Sequence, residues 1–317
     1  MPVKRPKPVQ NLLFDRSTTT AGKVAAGRPV ETGFQLYYAH SHGQLWQGDS
    51  LDWLASLAHS SVDMVFADPP YNINKAEWDT FESQERYIEW SMKWISQAAR
   101  VLTAAGSLYI CGFSEILADL KHPASKLFRS CRWLIWHYRN KANLGNDWGR
   151  SHESILHFRK SDRFRLNVDQ VRIPYGRHTL RYPSHPQAAT SQYGNGDQRE
   201  DWIPNPRGAK PKDVIEIPTT CNGMGEKTPH PTQKPEELLR RLVLAASGKG
   251  QTVLDPFSGS GTTLVVAEQL NRRWLGCELS PQYNEWAVNR IENVRRMSIE
   301  EWIEFDRRTA DRRESIR

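Results

Sequence analysis

The sequence is poor in cysteine and has no long apolar stretch. Its 317 residues include four cysteines, at Cys111, Cys131, Cys221 and Cys277, and no pair has the spacing of a metal site or a dense disulfide framework. No apolar run is long enough to cross a bilayer, and the basic N-terminus lacks the apolar region of a secretory signal. We therefore predict a protein of the reducing cytoplasm with no membrane association.

The composition is consistent with a globular protein that binds a polyanion. Hydrophobic residues make up 38% of the chain, enough for one large domain with an elaboration or for two poorly separated lobes. The formal net charge is +7. A basic surplus of this size permits binding to nucleic acid, although many basic proteins bind none.

From residue 35 onward, strand-like and helix-like segments alternate, which predicts an α/β fold. Continuous apolar runs at residues 62–67 (VDMVFA) and 107–113 (SLYICGF) are typical of strands buried on both faces of a parallel sheet. Residues 85–102 have helical spacing, and Pro235 and Gly248 bracket a further helix. Residues 1–34 predict a mobile basic arm, and residues 298–317 a charged C-terminal helix or tail.

A strand, a glycine turn and a helix follow one another in residues 253–270 (VLDPFSGSGTTLVVAEQL). Small residues in such a turn let the backbone approach a ligand at the helix N-terminus. No lysine follows Gly261, as a phosphate-binding P-loop requires, and Leu264 stands where a dinucleotide fingerprint has its third glycine. A ligand without phosphate is therefore favoured.

The turn resembles the S-adenosylmethionine loop of amino-methylating DNA methyltransferases. Glu278 ends the next strand, and a carboxylate there can accept hydrogen bonds from both hydroxyls of an unphosphorylated ribose. The element Thr228 to Pro235 (TPHPTQKP) matches the family element that borders the methionine part of the cofactor. The cofactor contacts that the resemblance implies are Asp49, Asp68, Thr232, Lys234, Asp255, Phe257, Ser258, Gly259, Ser260, Gly261, Thr262, Thr263 and Glu278.

Asp68-Pro69-Pro70-Tyr71 follows a buried strand and resembles the catalytic motif of the same enzymes. The exocyclic amine of a base is a poor nucleophile because its lone pair is delocalised into the ring. Acceptors aimed at its N–H groups, here the Asp68 carboxylate and the Pro69 carbonyl, favour the pyramidal, nucleophilic nitrogen. The prolines stiffen the turn, and Tyr71 is expected to stack on a base swung out of the duplex.

The order of these elements is that of the β-class, or permuted, DNA amino-methyltransferases, and the resemblance covers most of residues 35–297. It implies the Rossmann-like fold of S-adenosylmethionine-dependent methyltransferases, a seven-stranded mixed sheet with helices on both faces. Asp68 and the loop at 257–261 should then meet at the carboxyl ends of the strands. Methylation of cytosine at ring carbon is disfavoured, because it uses a nucleophilic cysteine that usually follows a proline, and no cysteine here does.

The implied function is site-specific methylation of adenine N6 in double-stranded DNA, as in a bacterial or phage modification enzyme, because aspartate at the first motif position usually accompanies that target. Cytosine N4 is the close alternative; RNA or a small amine as substrate and a catalytically silent DNA-binding relative are more distant ones. The resemblance also allows a cognate restriction endonuclease as partner, and a monomer or a homodimer as the assembly.

Residues 160–227 are rich in Pro, Gly, Arg, His and Tyr and show little periodicity. Long irregular segments inside compact domains are usually functional or disordered. We predict a target-recognition region at about residues 140–225, inserted in a catalytic domain that spans residues 35–297. Its candidate DNA contacts are Arg172, Arg177, Arg181 and Arg199, accompanied by Tyr175, Tyr182 and Tyr193.

One pattern resembles a metal site and is interpreted as a decoy. Residues 152–157 (HESILH) have one residue too many for two histidines on one helical face, and the segment has the pattern of a strand. We expect no metal, since direct transfer of a methyl group to an amine needs none.

Overall fold

A computed structural model describes residues 22–23, 33–73, 79–140, 146, 148–183 and 203–296. Within these ranges, ten strands form one mixed sheet in the order β1-β2-β3-β10-β9-β4-β5-β7-β6-β8. The strands are β1 (Gly22–Lys23), β2 (Phe34–His40), β3 (Gly43–Gly48), β4 (Val62–Ala67), β5 (Leu102–Gly112), β6 (Ser130–His137), β7 (His152–Arg159), β8 (Val214–Glu216), β9 (Thr252–Asp255) and β10 (Arg273–Glu278).

The predicted α/β class is confirmed, but the sheet has more strands than the seven expected. The seven middle strands run from β3 to β6; β3, β10, β9, β4 and β5 are mutually parallel, and β7 is antiparallel to both its neighbours. The additional strands lie at the edges, where β2 folds back on β3 and three residues of the irregular segment form β8 beside β6.

Helices cover both faces of the sheet. The helices are α1 (Ser50–Ser56), α2 (Gln84–Val101), α3 (Ser114–Ala124), α4 (Arg177–Arg181), α5 (Glu236–Ala246), α6 (Thr262–Gln269) and α7 (Pro281–Arg296). α1, α2 and α3 pack on one face, and α5, α6 and α7 on the other. Strand β4 is continuously apolar because both of its faces are buried. Val65 and Ala67 lie in the hydrophobic core under α1, α2 and α3, and Met64 and Phe66 lie in the core under α5, α6 and α7.

The strongly patterned elements lie where the sequence predicted them, whereas β2 and α3 were missed. In β2 (FQLYYAH), Gln35 and His40 leave an apolar run of only four residues, at 36–39, and the pairing with β3 that makes this segment a strand is not visible in the sequence. α3 has no side-chain N-cap, and although Lys121 and His122 lie in its last turn, Pro123 in the same turn interrupts the helical pattern.

The predicted arm and tail fall mostly outside the described residues. Gly22–Lys23 pairs antiparallel with β2, and the other residues up to 32, like those from 297 to 317, are not described. In the part of the chain that is described, no helix combines the length and the apolar character that a membrane crossing requires.

Candidate active site

The Asp68 motif and the glycine loop follow neighbouring parallel strands, β4 and β9, and lie at the same end of the sheet as the end of β10. Val65 of β4 pairs with Leu254 of β9, so Asp68 and Phe257, each three residues further on, lie at the same height. Gly276 of β10 pairs with Asp255, which places Glu278 at that height too. The helix after β9 and the helix after β4 lie on opposite faces, so this is the switch point where α/β sheets bind ligands.

A cavity of about 440 Å³ opens at this point, which lies within the range of about 300–1,000 Å³ typical of small-molecule sites. Most of the predicted site residues line it: Asp49, Asp68, Pro70, Thr232, Lys234, Asp255, Phe257, Ser258, Gly259, Ser260, Thr262, Thr263 and Glu278. Pro69, Tyr71 and Gly261 do not form part of its wall. The expectation that Asp68 and the glycine loop meet in space is therefore met.

Asp68 is held by two donors from distant parts of the chain. Its Oδ1 accepts a hydrogen bond of 2.5 Å from the Tyr71 hydroxyl, and its Oδ2 accepts one of 2.6 Å from the Lys234 ammonium. Burial raises the pKa of Asp68, and Lys234 opposes that rise. Burial alone would lower the pKa of Lys234, but the neighbouring Asp68 and Glu153 carboxylates raise it above its usual value, so the ammonium stays charged.

The backbone after the motif is fixed by one carboxylate, that of Asp79. Its Oδ1 accepts from the amide N–H of Tyr71 at 2.5 Å and of Asn72 at 2.8 Å, and its Oδ2 accepts from that of Ile73 at 3.3 Å. Asn72 has a φ of 57°, a left-handed conformation that asparagine tolerates better than most residues. Asp79 thus holds the turn that carries Tyr71.

We expect Asp79→Ala to lower the free energy of unfolding by about 2–4 kcal/mol, because three partly buried amide donors would lose their acceptor. Asp79→Asn retains one carbonyl oxygen and should cost about half as much. Urea denaturation of the two variants and the wild type measures both differences. Equal stability of all three proteins would show that the turn does not depend on this carboxylate.

The glycine loop is shaped by two left-handed glycines and two carboxylates. Gly259 has a φ of 51°, and its N–H donates to Glu278 Oε2 at 2.8 Å. Gly261 has a φ of 77°, and a Cβ there would lie 2.6 Å from Ala287 Cβ, so this glycine serves packing against α7. Asp255 accepts from the Phe257 N–H and the Thr263 hydroxyl, and burial raises its pKa to about 7.

Asp49 and Glu278, two acids of the cavity wall, are both engaged in hydrogen bonds to the local backbone. Asp49 is the N-cap of α1, where its Oδ1 accepts from the N–H groups of Leu51 and Asp52. Glu278 also accepts from the Ser280 N–H, and burial raises the pKa of Glu278. Each carboxylate keeps additional lone pairs with which it could accept bonds from a ligand.

Several residues of the site escaped the sequence analysis. His230 and Tyr283 form an edge-on pair in the wall, and burial lowers the pKa of His230 to about 4, so the ring is neutral. Phe81 and Trp90 add an apolar wall beside Phe257. No local pattern marks these residues; only His230 lay within a recognised motif.

Glu153 lies in the segment at residues 152–157 (HESILH), which we interpreted as a false metal motif, and its side chain lies close to Asp68. The segment is strand β7, as predicted, so His152 and His157, five residues apart, point to opposite faces. His157 stacks on Tyr109, and His152 lies 3.2 Å from the Ser114 hydroxyl. Glu153 Oε2 lies 3.5 Å from Lys234 Nζ.

The candidate DNA-contacting arginines differ in their surroundings. The Arg172 guanidinium donates to Asp169 at 2.7 Å and to the Gly208 carbonyl at 2.8 Å, so it is already engaged in hydrogen bonds within the protein. Arg177 and Arg181 lie exposed on α4. Arg199 and Tyr193 lie outside the described residues.

Comparison with known proteins agrees with this architecture. Residues 62–289 match the N6/N4 family of DNA methylases. The type II methyltransferase M1.MboII of Moraxella bovis is 32% identical over 261 residues, which are 78% of this chain and 97% of that protein. The DNA adenine methyltransferase YhdJ of Escherichia coli K12 is 32% identical over 268 residues, which are 82% of this chain and 86% of that one.

Solved structures show the same fold. The cytosine-N4-specific PvuII DNA methyltransferase superposes with a TM-score of 0.60 at 19% identity, covering 83% of this chain and 91% of that one. Structures that share the fold include complexes with S-adenosylmethionine. The fold and the paired motifs at its switch point define a DNA methyltransferase. The chain belongs to the N6/N4 DNA methylase family.

Proposed function

We propose that this methyltransferase transfers a methyl group from S-adenosylmethionine to the N6 amine of adenine in duplex DNA. The observation that carries the proposal is the shared cavity of Asp68 and the glycine loop, which lie at the ends of neighbouring parallel strands. A group that binds amine hydrogens and a loop suited to a nucleoside thereby face the same space.

The wall residues fit the donor molecule. Glu278 would accept from the ribose hydroxyls, Asp49 would lie near the adenine ring, as the family resemblance implies, and Phe257 with Trp90 offers apolar surface. Thr232 and Lys234 are the proposed contacts of its carboxylate. The donor would supply a methyl group on positively charged sulfur, and the Asp68 carboxylate in the wall would complement that charge.

The other side of the cavity would activate the acceptor. Asp68 and the Pro69 carbonyl would accept the amine N–H groups, which localises the nitrogen lone pair for in-line attack on the methyl carbon. The carbon–nitrogen bond would form as the sulfur–carbon bond breaks, sulfur would keep the electron pair, and the proton that the nitrogen loses would pass to Asp68 and then to solvent. Tyr71 would stack on the extruded base, with its hydroxyl anchored on Asp68.

Adenine is preferred over cytosine because aspartate occupies the first motif position and because one similar protein is an adenine methyltransferase. Cytosine N4 remains the second candidate, since the same fold serves a cytosine-N4 enzyme. The remaining proposals are that residues 140–225 recognise the target sequence, that Arg177 and Arg181 contact DNA phosphates, and that a cognate restriction endonuclease exists, as the type II relatives suggest.

The test is incubation of the purified protein with methyl-labelled S-adenosylmethionine and genomic DNA, RNA or small amines, followed by digestion to nucleosides. We expect label in N6-methyl-2′-deoxyadenosine from DNA. Label in N4-methyl-2′-deoxycytidine would establish the second candidate, and label in RNA or small amines would overturn DNA as the substrate. Cofactor binding without transfer to any substrate would identify a catalytically silent DNA-binding protein.

A further inference from the structure

Glu153 is a buried acid next to the catalytic motif that no motif includes. Its side chain is 12% exposed, and its Oε2 lies 3.3 Å from the Tyr71 hydroxyl and 3.5 Å from Lys234 Nζ. These are the two donors that bind Asp68. Glu153 therefore shares both donors with the carboxylate proposed to contact the target amine.

The cluster already contains its own cation. Ligand atoms of Asp68, Cys111 and Glu153 lie within 4.8 Å of one another, as they would around a metal ion. The Lys234 ammonium, however, lies 2.6 Å from Asp68 and 3.5 Å from Glu153, where such an ion would bind. Burial raises the pKa of the Cys111 thiol, which keeps it protonated and a poor metal ligand.

The charges of this cluster do not balance as simple pairs. Two carboxylates face one ammonium, so Glu153 draws part of the Lys234 charge away from Asp68 and adds a negative charge beside it. If Glu153 were neutral, Asp68 and Lys234 would form an exclusive ion pair, and Asp68 would be a weaker acceptor for the amine. The Glu153 carboxylate thus influences the hydrogen-bonding capacity of Asp68 through the donors that they share, Lys234 and Tyr71.

We propose that Glu153 is a positioning residue for methyl transfer, which shares Lys234 with Asp68 and so keeps Asp68 available for the amine. This inference rests on the proposed function and extends it. The nitrogen lone pair forms the new bond to carbon, sulfur keeps the electrons of the broken bond, and Asp68 takes the released proton and passes it to solvent.

The pH dependence of the reaction tests this role. Asp68 must be ionised to accept, so the acidic limb of the rate profile reports its protonation. Burial raises the pKa of Asp68, Lys234 lowers it and Glu153 raises it. Loss of the Glu153 charge should therefore move the acidic limb to lower pH. Among the described residues, the titratable groups that surround Asp68 are Tyr71, Tyr87, Cys111, Glu153, Lys234 and Asp255.

The experiment is single-turnover methyl transfer to DNA across pH, with saturating S-adenosylmethionine. For Glu153→Gln we expect the maximal rate to fall about 10- to 100-fold and the acidic limb to shift down by about one pH unit, with cofactor Kd within about threefold of wild type. Glu153→Asp keeps the charge, so its limb should stay near the wild-type position while its rate falls. Glu89→Gln, on a side chain 61% exposed on α2, is the matched control and should change nothing.

The position of the acidic limb separates failure of the proposed role of Glu153 from failure of the proposed function. An unmoved or upward-shifted limb in Glu153→Gln, with an active wild type, overturns the role of Glu153 and leaves the proposed function intact. Failure of the wild type to methylate any nucleic acid overturns both. If Glu153→Gln does not fold, Glu153→Asp decides: a limb displaced from the wild-type position would contradict the proposal.

Discussion

Replacement of Asp68 by alanine should reduce methyl transfer at least about 10³-fold while the protein still binds S-adenosylmethionine. The carboxylate is the acceptor that the Asp68 motif presents beside the glycine loop, and its described partners cannot replace it: Tyr71 and Lys234 are donors toward it, and the Glu153 carboxylate contacts those same two donors. The measurement is the single-turnover rate of label transfer to DNA, together with a calorimetric cofactor Kd.

The variants Asp68→Asn and Asp162→Ala separate the effect of Asp68→Ala on the reaction from its effect on stability. Asp68→Ala leaves the buried Lys234 ammonium with Glu153 as its remaining carboxylate, so the free energy of unfolding should fall by about 3 kcal/mol. Asp68→Asn keeps the shape and one acceptor oxygen, and it should remain more active than the alanine variant. Asp162→Ala, on an exposed acid paired only with Arg129 in the described contacts, is the inert control. Loss of cofactor affinity with intact transfer at saturation would show that Asp68 belongs to the donor side.

The second large effect is expected at Gly261. In Gly261→Ala, the new methyl group would lie 2.6 Å from Ala287 Cβ and 3.0 Å from its Cα, and the residue would also have to hold a φ of 77°. Either the loop or α7 must move. We expect the free energy of unfolding to fall by about 2–4 kcal/mol and cofactor affinity to fall more than about tenfold.

Gly250 provides a matched control for the backbone alone. Its φ of 74° is nearly that of Gly261, but nothing lies within 4 Å of a Cβ placed there. Gly250→Ala should therefore cost about 1 kcal/mol in stability and leave cofactor affinity unchanged. Urea denaturation and calorimetry of both variants give the comparison. If the two alanines behave alike, contact with α7 does not shape the cofactor loop.

Short-range patterns were enough to locate most of the fold. The continuous apolar run of β4, the helical spacing of α2 and the strand, turn and helix around Gly261 depend on neighbouring residues, so the sequence predicted them. The added edge strands β2 and β8 depend on partners elsewhere in the chain. Their sequences are too mixed or too short to indicate a strand alone.

In the candidate site, too, some features could be predicted from local sequence and others depend on contacts between distant parts of the chain. The sequence alone determined the class of enzyme and predicted Asp68, the glycine loop and Glu278 as candidate site residues, because each lies in a contiguous motif or at the end of a clearly patterned strand. Only the tertiary structure decided that Lys234 pairs with Asp68 across 166 positions and that Glu153 shares that ammonium. The physical reason is that the electrostatics of a buried carboxylate depend on which charges the fold brings within a few ångströms, whatever their separation along the chain.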